Sequence, residues 1–156
     1  MNYRIGHGFD RHRLEDGNGV VLGGVSIECG KQTIAHSDGD VLLHAVTDAI
    51  YSAIGDGDIG THFPNTDESN KDAASSLFLA HALERSKSLG FSIVNVSATI
   101  ICDEPKIADV RNLINASVSA MLGAPVHVQG KTTEGCQTVD AIDVHAVALL
   151  SQGTCS

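Results

Sequence analysis

His36-Ser37-Asp38-Gly39-Asp40-Val41-Leu42-Leu43-His44 sets the architecture, read together with Gly8-Phe9-Asp10-Arg11-His12. The second stretch reads as the end of a strand. In an extended chain alternate side chains share a face, so Asp10 and His12 project to one side. The first stretch reads as a turn that opens a helix, because N-cap and turn residues run straight into an apolar segment. His44 falls one turn into that helix, and Asp48 follows four residues on, on the same face. A carboxylate and two imidazoles on regular elements match the three-ligand set of catalytic zinc sites, where a fourth position stays open. Most histidines in a globular chain bind nothing, so the triplet by itself leaves a metal site and ordinary core histidines both open.

The 156 residues fit a single domain with a core of its own, read here as one catalytic unit over residues 1–156. Hydrophobic content of 42% and charged content of 19% describe a globular chain. No stretch is apolar enough to span a bilayer, and the N-terminus runs directly into strand-like sequence with no signal peptide, so a bacterial cytoplasmic setting is expected, or a plastid-type organelle if a transit peptide has been removed. Four scattered cysteines without a Cys-x-x-Cys pair are expected as free thiols. Ten Lys and Arg against nineteen Asp and Glu give a net charge of −9, a surface that repels nucleic acid and anionic membranes. A phosphate ester bound by such a chain needs divalent cations to neutralise it.

Taken in order, Tyr3 to Asp10 predicts a strand, with Gly6 and Gly8 permitting close approach of backbone or ligand. Arg13 to Gly19 predicts a loop, and Val20–Leu22 with Val25–Ile27 around Gly23-Gly24 predicts a hairpin. Helices are expected over 41–54, over 73–89 closed by Gly90, and from about Lys106 to Leu122 closed by Gly123. Gly55 to Asp67 predicts a long polar loop of functional character. Residues 94–100, 126–131 and 141–150 predict strands; the last is ambiguous with helix, but its alternation favours strand. The fold class is α/β (α+β): a ferredoxin-like layer with a mixed four-stranded sheet and helices on one face.

These segments together resemble the family of 2-C-methyl-D-erythritol 2,4-cyclodiphosphate synthases. The resemblance rests on Arg4-Ile5-Gly6-His7-Gly8-Phe9-Asp10-x-His12, Gly23-Gly24-Val25, Ala35 to Val41 with His44, and Thr47-Asp48-Ala49. It continues through Gly57-Asp58-Ile59-Gly60, Phe63-Pro64-x-Thr66-Asp67, Pro105-Lys106, Thr132-Thr133-Glu134 and Ala146 to Leu150. It implies a lyase of the non-mevalonate isoprenoid pathway that cyclises a CDP-linked methylerythritol phosphate and releases CMP. It implies zinc on Asp10, His12 and His44, and magnesium or manganese on Glu134, with Thr133 completing the catalytic set. It implies a substrate pocket of His36, Ser37, Asp58, Ile59, Gly60, Phe63 and Asp67 around the sugar phosphate. Cys102, Pro105, Lys106 and Ile107 would surround the cytosine, with Thr132 and Thr133 near the phosphates. The family is a homotrimer with sites between subunits. Asp38 and Asp48 could accept hydrogen bonds from the ligand imidazoles; for Asp38 a helix cap is the favoured reading.

The chain departs from the family pattern after Glu134, where Gly135 to Asp143 is shorter than usual and carries no arginine. Asn65 replaces a usual Asp, and Ala74 replaces another. A zinc phosphohydrolase would use the same ligands, but the wording at Pro105-Lys106 and Thr132-Thr133-Glu134 speaks against it. A non-catalytic trimer binding metal or isoprenoid diphosphate would be marked by substituted ligands, and none is substituted. His7, His62, His81, His127 and His145 read as ordinary core or surface histidines, and Cys102 as a small buried residue.

Overall fold

The structure, a computed structural model, describes residues 2–35, 38–64, 66 and 73–153. A long strand β1 (Asn2–Asp16) opens the chain, followed by a small hairpin of β2 (Val20–Leu22) and β3 (Val25–Ile27) and a short strand β4 (Lys31–Thr33). Helices α1 (Val41–Ile54), α2 (Ile59–His62) and α3 (Ser75–Ser88) come next. Then follow β5 (Phe91–Ile101), α4 (Ile107–Leu122), β6 (Val126–Lys131) and β7 (Ala141–Gln152). The main sheet runs β4-β1-β7-β5-β6 and the hairpin stands apart. All its neighbours are antiparallel except β5 and β6, which are parallel and joined through α4.

The sheet therefore has five strands where four were expected, and the added strand is β4 at the edge. The expected loop over 13–19 is shortened for the same reason. Arg13 still pairs with Ala141 of β7, while Leu14, Glu15 and Asp16 pair with β4. The long elements follow a β-α-α-β-α-β-β path with one parallel pair, instead of the ferredoxin-like β-α-β-β-α-β order. The ambiguous segment at 141–150 is a strand running to Gln152, and it forms the centre of the sheet. The long loop expected from Gly55 is interrupted by α2, a single turn.

Helix α1 lies directly on β1 because Gly6 and Gly8 leave room for it. A Cβ at Gly6 would meet the Ala49 carbonyl oxygen at 1.9 Å, and one at Gly8 the Ala45 carbonyl oxygen at 1.9 Å. The helix starts at Asp40, whose carboxylate accepts from the Leu43 amide, and stops at Gly55, in the left-handed region with φ +71°. Most of its side chains are buried, since the sheet lies on one side and α3 on another. Gly130 of β6 likewise admits Ile107 of α4. Val96, Ala98, Ile100, Val144, Ala146 and Ala148 complete this face of the core. The helices cover one face of the sheet, as expected. The opposite face is open: Ile5 is 72% exposed, Tyr3 56%, Phe9 43% and Val147 42%. Among the described residues no helix is long and apolar enough to cross a membrane.

Candidate functional site

The close fit of α1 on β1 brings His44 beside Asp10 and His12. Nδ1 of His44 lies 3.0 Å from Asp10 Oδ2, and Nδ1 of His12 lies 3.5 Å from the same oxygen. One ligand atom from each of the three residues falls within 4.8 Å of the others, the one such group among the described residues. All three are half-buried. His12 Nδ1 is buried with no hydrogen-bond partner. A buried polar atom left unpaired is costly, and here it faces a carboxylate and a second imidazole. That is the arrangement of a site that fits a divalent cation, with imidazole and carboxylate donors of the kind zinc takes.

The imidazoles are tuned differently. Burial pushes the His12 pKa down, against the pull of Asp10. Burial also works against a charged His44, but the Asp10 hydrogen bond and the charges of Asp10, Asp40 and Asp38 outweigh it and the pKa rises. Nε2 of His44 lies 2.8 Å from Ser75 Oγ, and Ser75 is bound to Asp38 through both its hydroxyl and its amide. Asp38 is thus one step removed from the imidazole, and the cap of α1 is Asp40. Asp40 is fully buried and also accepts from the amides of Gly23 and Gly24, at 2.9 and 2.7 Å. Burial raises its pKa while these amides and that of Leu43 oppose the shift. Asp48 does not reach an imidazole; it accepts from the Ile59 amide at 2.8 Å and so ties α2 to α1.

The 58–63 segment is well defined. Asp58 caps α2 in a reciprocal capping box with Thr61, and Phe63 packs on Phe78 with tilted rings, centroids 4.7 Å apart. Beneath it, a cluster the sequence did not reveal joins Tyr51, His62 and His81. The Tyr51 hydroxyl lies 2.6 Å from His81 Nδ1, and the Tyr51 and His62 rings stack at 4.5 Å. Gly60 follows Ile59 in the first turn of α2. His36, Ser37 and Asp67, expected to touch the sugar phosphate, lie outside the described residues, as do Asn65 and Cys155.

A second cluster forms where β5 and β6 end. Cys102 is buried and its thiol faces the Pro105 carbonyl at 3.5 Å; burial, then the nearby Asp103 charge, pushes its pKa up to about 12, so it is no nucleophile. Lys106 stands at the N-cap of α4, and Ile107 is its first, buried residue. Thr133 donates its amide and its hydroxyl to Asp103, at 2.9 and 2.6 Å, and Thr132 donates to Glu134 at 2.5 Å. Asp103 is the residue here that sequence reasoning missed. Glu134 is exposed and holds a positive φ of 53°, uncommon outside glycine. The structure does not bring Glu134 into the triad. Arg11, Asp143, Ile101 and Lys131 are successive partners across the sheet, so three strand steps, about 14 Å, separate β1 from β6.

The chain thus falls in the class of α+β layers that carry a triad fit for a divalent cation at one end and a Thr-Thr-Glu turn at another. Comparison with known proteins narrows this class. The YgbB family model matches residues 3–151, and the chain belongs to that family. A 2-C-methyl-D-erythritol 2,4-cyclodiphosphate synthase of Geotalea daltonii is 43% identical over 96% of this chain and 91% of its own. The Burkholderia cenocepacia enzyme of the same name is 42% identical over 96% and 97%. A solved 2C-methyl-D-erythritol-2,4-cyclodiphosphate synthase in its CDP-bound form superposes with a TM-score of 0.89 at 37% identity, covering 95% of this chain and all of its own. The CDP complex of the Plasmodium falciparum protein IspF gives 0.85 at 33%, covering 98% of each. The activity of the family is a cyclodiphosphate synthase, a lyase of isoprenoid biosynthesis.

Proposed function

We propose that this chain converts 4-diphosphocytidyl-2-C-methyl-D-erythritol 2-phosphate into 2-C-methyl-D-erythritol 2,4-cyclodiphosphate and CMP. It does so as a homotrimer, with zinc on Asp10, His12 and His44 and magnesium or manganese on Glu134. The observation that carries the reading is the convergence of the triad around the unpaired Nδ1 of His12. An oxygen of the 2-phosphate attacks the β-phosphorus, a new P–O–P bond forms, and CMP leaves with the electrons of the broken P–O bond. The nucleophile is already an anion, so no strong general base is required; the barrier lies in bringing two anions together. Bound cations supply charge neutralisation and Lewis-acid polarisation of phosphate oxygens.

The chain's own residues supply position. Asp48 holds the Asp58-Ile59-Gly60 turn on α1 and Phe78 of α3 packs against Phe63, where they would line the sugar-phosphate side with His36, Ser37 and Asp67. Cys102, Pro105, Lys106 and Ile107 offer a buried wall and one cation for the cytidine, and Thr132 and Thr133 offer hydroxyls to the phosphates. The CDP found in two related structures supports a CDP-linked substrate. Two features favour the trimer. The open face of the sheet exposes a run of large apolar side chains that a second copy would cover. Glu134 also lies too far along the sheet to act with the triad of its own chain.

The test follows CMP release and the ³¹P spectrum of the product, with wild type beside His44→Ala, each with zinc and magnesium. CMP with a cyclic diphosphate from wild type alone supports the reading. Free phosphate would assign a phosphohydrolase. No turnover at one zinc per chain would assign a binding protein and make the arginine-less loop after Glu134 decisive.

A further inference from the structure

At the first position of α3, after an N-cap alanine whose side chain cannot cap the helix, Ser75 is fully buried. Its polar groups are turned elsewhere. The amide donates to Asp38 Oδ2 at 2.9 Å and the hydroxyl donates to Asp38 Oδ1, while the hydroxyl oxygen lies 2.8 Å from His44 Nε2. Asp38 is itself fixed by a third donor, the Asp40 amide, at 3.2 Å.

A serine hydroxyl has one proton and two lone pairs, and a carboxylate accepts only. With that proton committed to Asp38, Ser75 Oγ can only accept from His44. Nε2 must therefore carry a proton. Nδ1, which shares a hydrogen bond with Asp10 Oδ2 at 3.0 Å, is then the nitrogen left to exchange a proton for a cation. The opposite tautomer would set the Nε2 lone pair against the hydroxyl oxygen in a buried place. A cation that takes the place of that shared proton meets two ligand atoms, Nδ1 and the Asp10 oxygen.

We propose that Ser75, oriented by Asp38, is the positioning residue that fixes His44 as an Nδ1 metal ligand. The same pair ties the turn before α1 to the start of α3. The inference rests on the triad being a metal site, and on no assigned role of Ser75. It predicts that the histidine-to-metal link fails when the hydroxyl is removed although every ligand is still present.

The test measures zinc binding by competition with a chromophoric chelator, and the His44 tautomer by long-range ¹H–¹⁵N spectra of zinc-loaded wild type. Wild type is expected to show the proton on Nε2. Ser75→Ala is expected to bind zinc about 10- to 100-fold more weakly, the usual scale for losing a ligand's hydrogen-bonding partner, and Ser75→Thr, which keeps the hydroxyl, to recover most of that loss. A zinc-loaded wild type with its proton on Nδ1 would overturn the proposal without any variant. So would equal zinc affinity in Ser75→Ala while His44→Ala loses the metal. If His44→Ala binds zinc as well as wild type, the triad reading itself fails, and this proposal with it.

Discussion

The two ends of the candidate site are built on different terms. The triad sits on a 15-residue strand and a 14-residue helix pressed together over two glycines, and behind His44 stands the buried Ser75, held in turn by Asp38. The Thr132-Thr133-Glu134 end hangs on a turn, exposed, with one carboxylate, Asp103, latching it from outside. The first end is complete within one chain. The second spends its two hydroxyls on neighbouring carboxylates, Glu134 and Asp103, and leaves Glu134 exposed. A site assembled between subunits would show this asymmetry, with rigid ligands on one side and an exposed, adjustable contribution on the other.

The largest expected effect breaks the first end. His44→Ala removes a ligand from a set of three, and kcat/KM is expected to fall by about 10³-fold or more, with zinc lost from the purified protein. Glu134→Gln is expected to abolish the response to magnesium while leaving bound zinc in place. Mixing the two inactive variants and letting subunits exchange sharpens the contrast. If each site takes its triad from one chain and Glu134 from a neighbour, a random equal mixture restores about one quarter of the wild-type rate. No recovery would show that each chain works alone.

A smaller effect is expected from Asp40→Ala. This buried carboxylate caps α1 and accepts from both glycine amides of the β2–β3 turn. Losing the cap and stranding two amides costs about 3 kcal/mol, a fall in Tm of roughly 10 °C for a domain of this size, readable by calorimetry. Zinc affinity in the folded fraction should stay near wild type, because the Asp40 side chain bonds no ligand and its backbone bond to the His44 amide survives the substitution.

The two ends also differed in how much of them the sequence revealed. The bounds of α1 were readable because its punctuation is local: Asp40 before the apolar run and Gly55 after it. The close approach over Gly6 and Gly8 was readable too, since glycine in a strand interior has few other uses. The full reach of β1 was not. Arg13 to Asp16 is polar, and its pairing with β4 and β7 is a long-range fact that local composition does not carry. Ser75 and Asp103 stayed hidden for the same reason: their partners are 31 and 37 residues away in the one case and 30 in the other. Asp38 was assigned to the cap that Asp40 holds, and it reaches His44 only through the Ser75 hydroxyl; two aspartates two residues apart compete for one position and only the fold shows which points inward.

The finest test concerns the latch at the exposed end. The Thr133 hydroxyl and amide hold the Asp103 carboxyl below its ordinary value of 3.8, with a smaller pull from Lys106 and burial opposing them. A carboxyl lowered in the folded state stabilises the charged, latched form at pH above that ordinary value, and the contribution is lost as pH falls through the lower folded value. Near neutral pH the latch is therefore fully engaged, and pH changes between 6 and 8 should leave the turn's amide-exchange protection unchanged. Asp103→Asn keeps the shape but removes the charge. It should raise KM for the CDP-linked substrate by roughly three- to tenfold with kcat little changed, the scale of one weakened hydrogen bond. It should also speed exchange at Thr133 while exchange in α1 and β1 stays as it was. A matching change in zinc affinity would show that the two ends are coupled within one chain, and the contrast between them would then have to be abandoned.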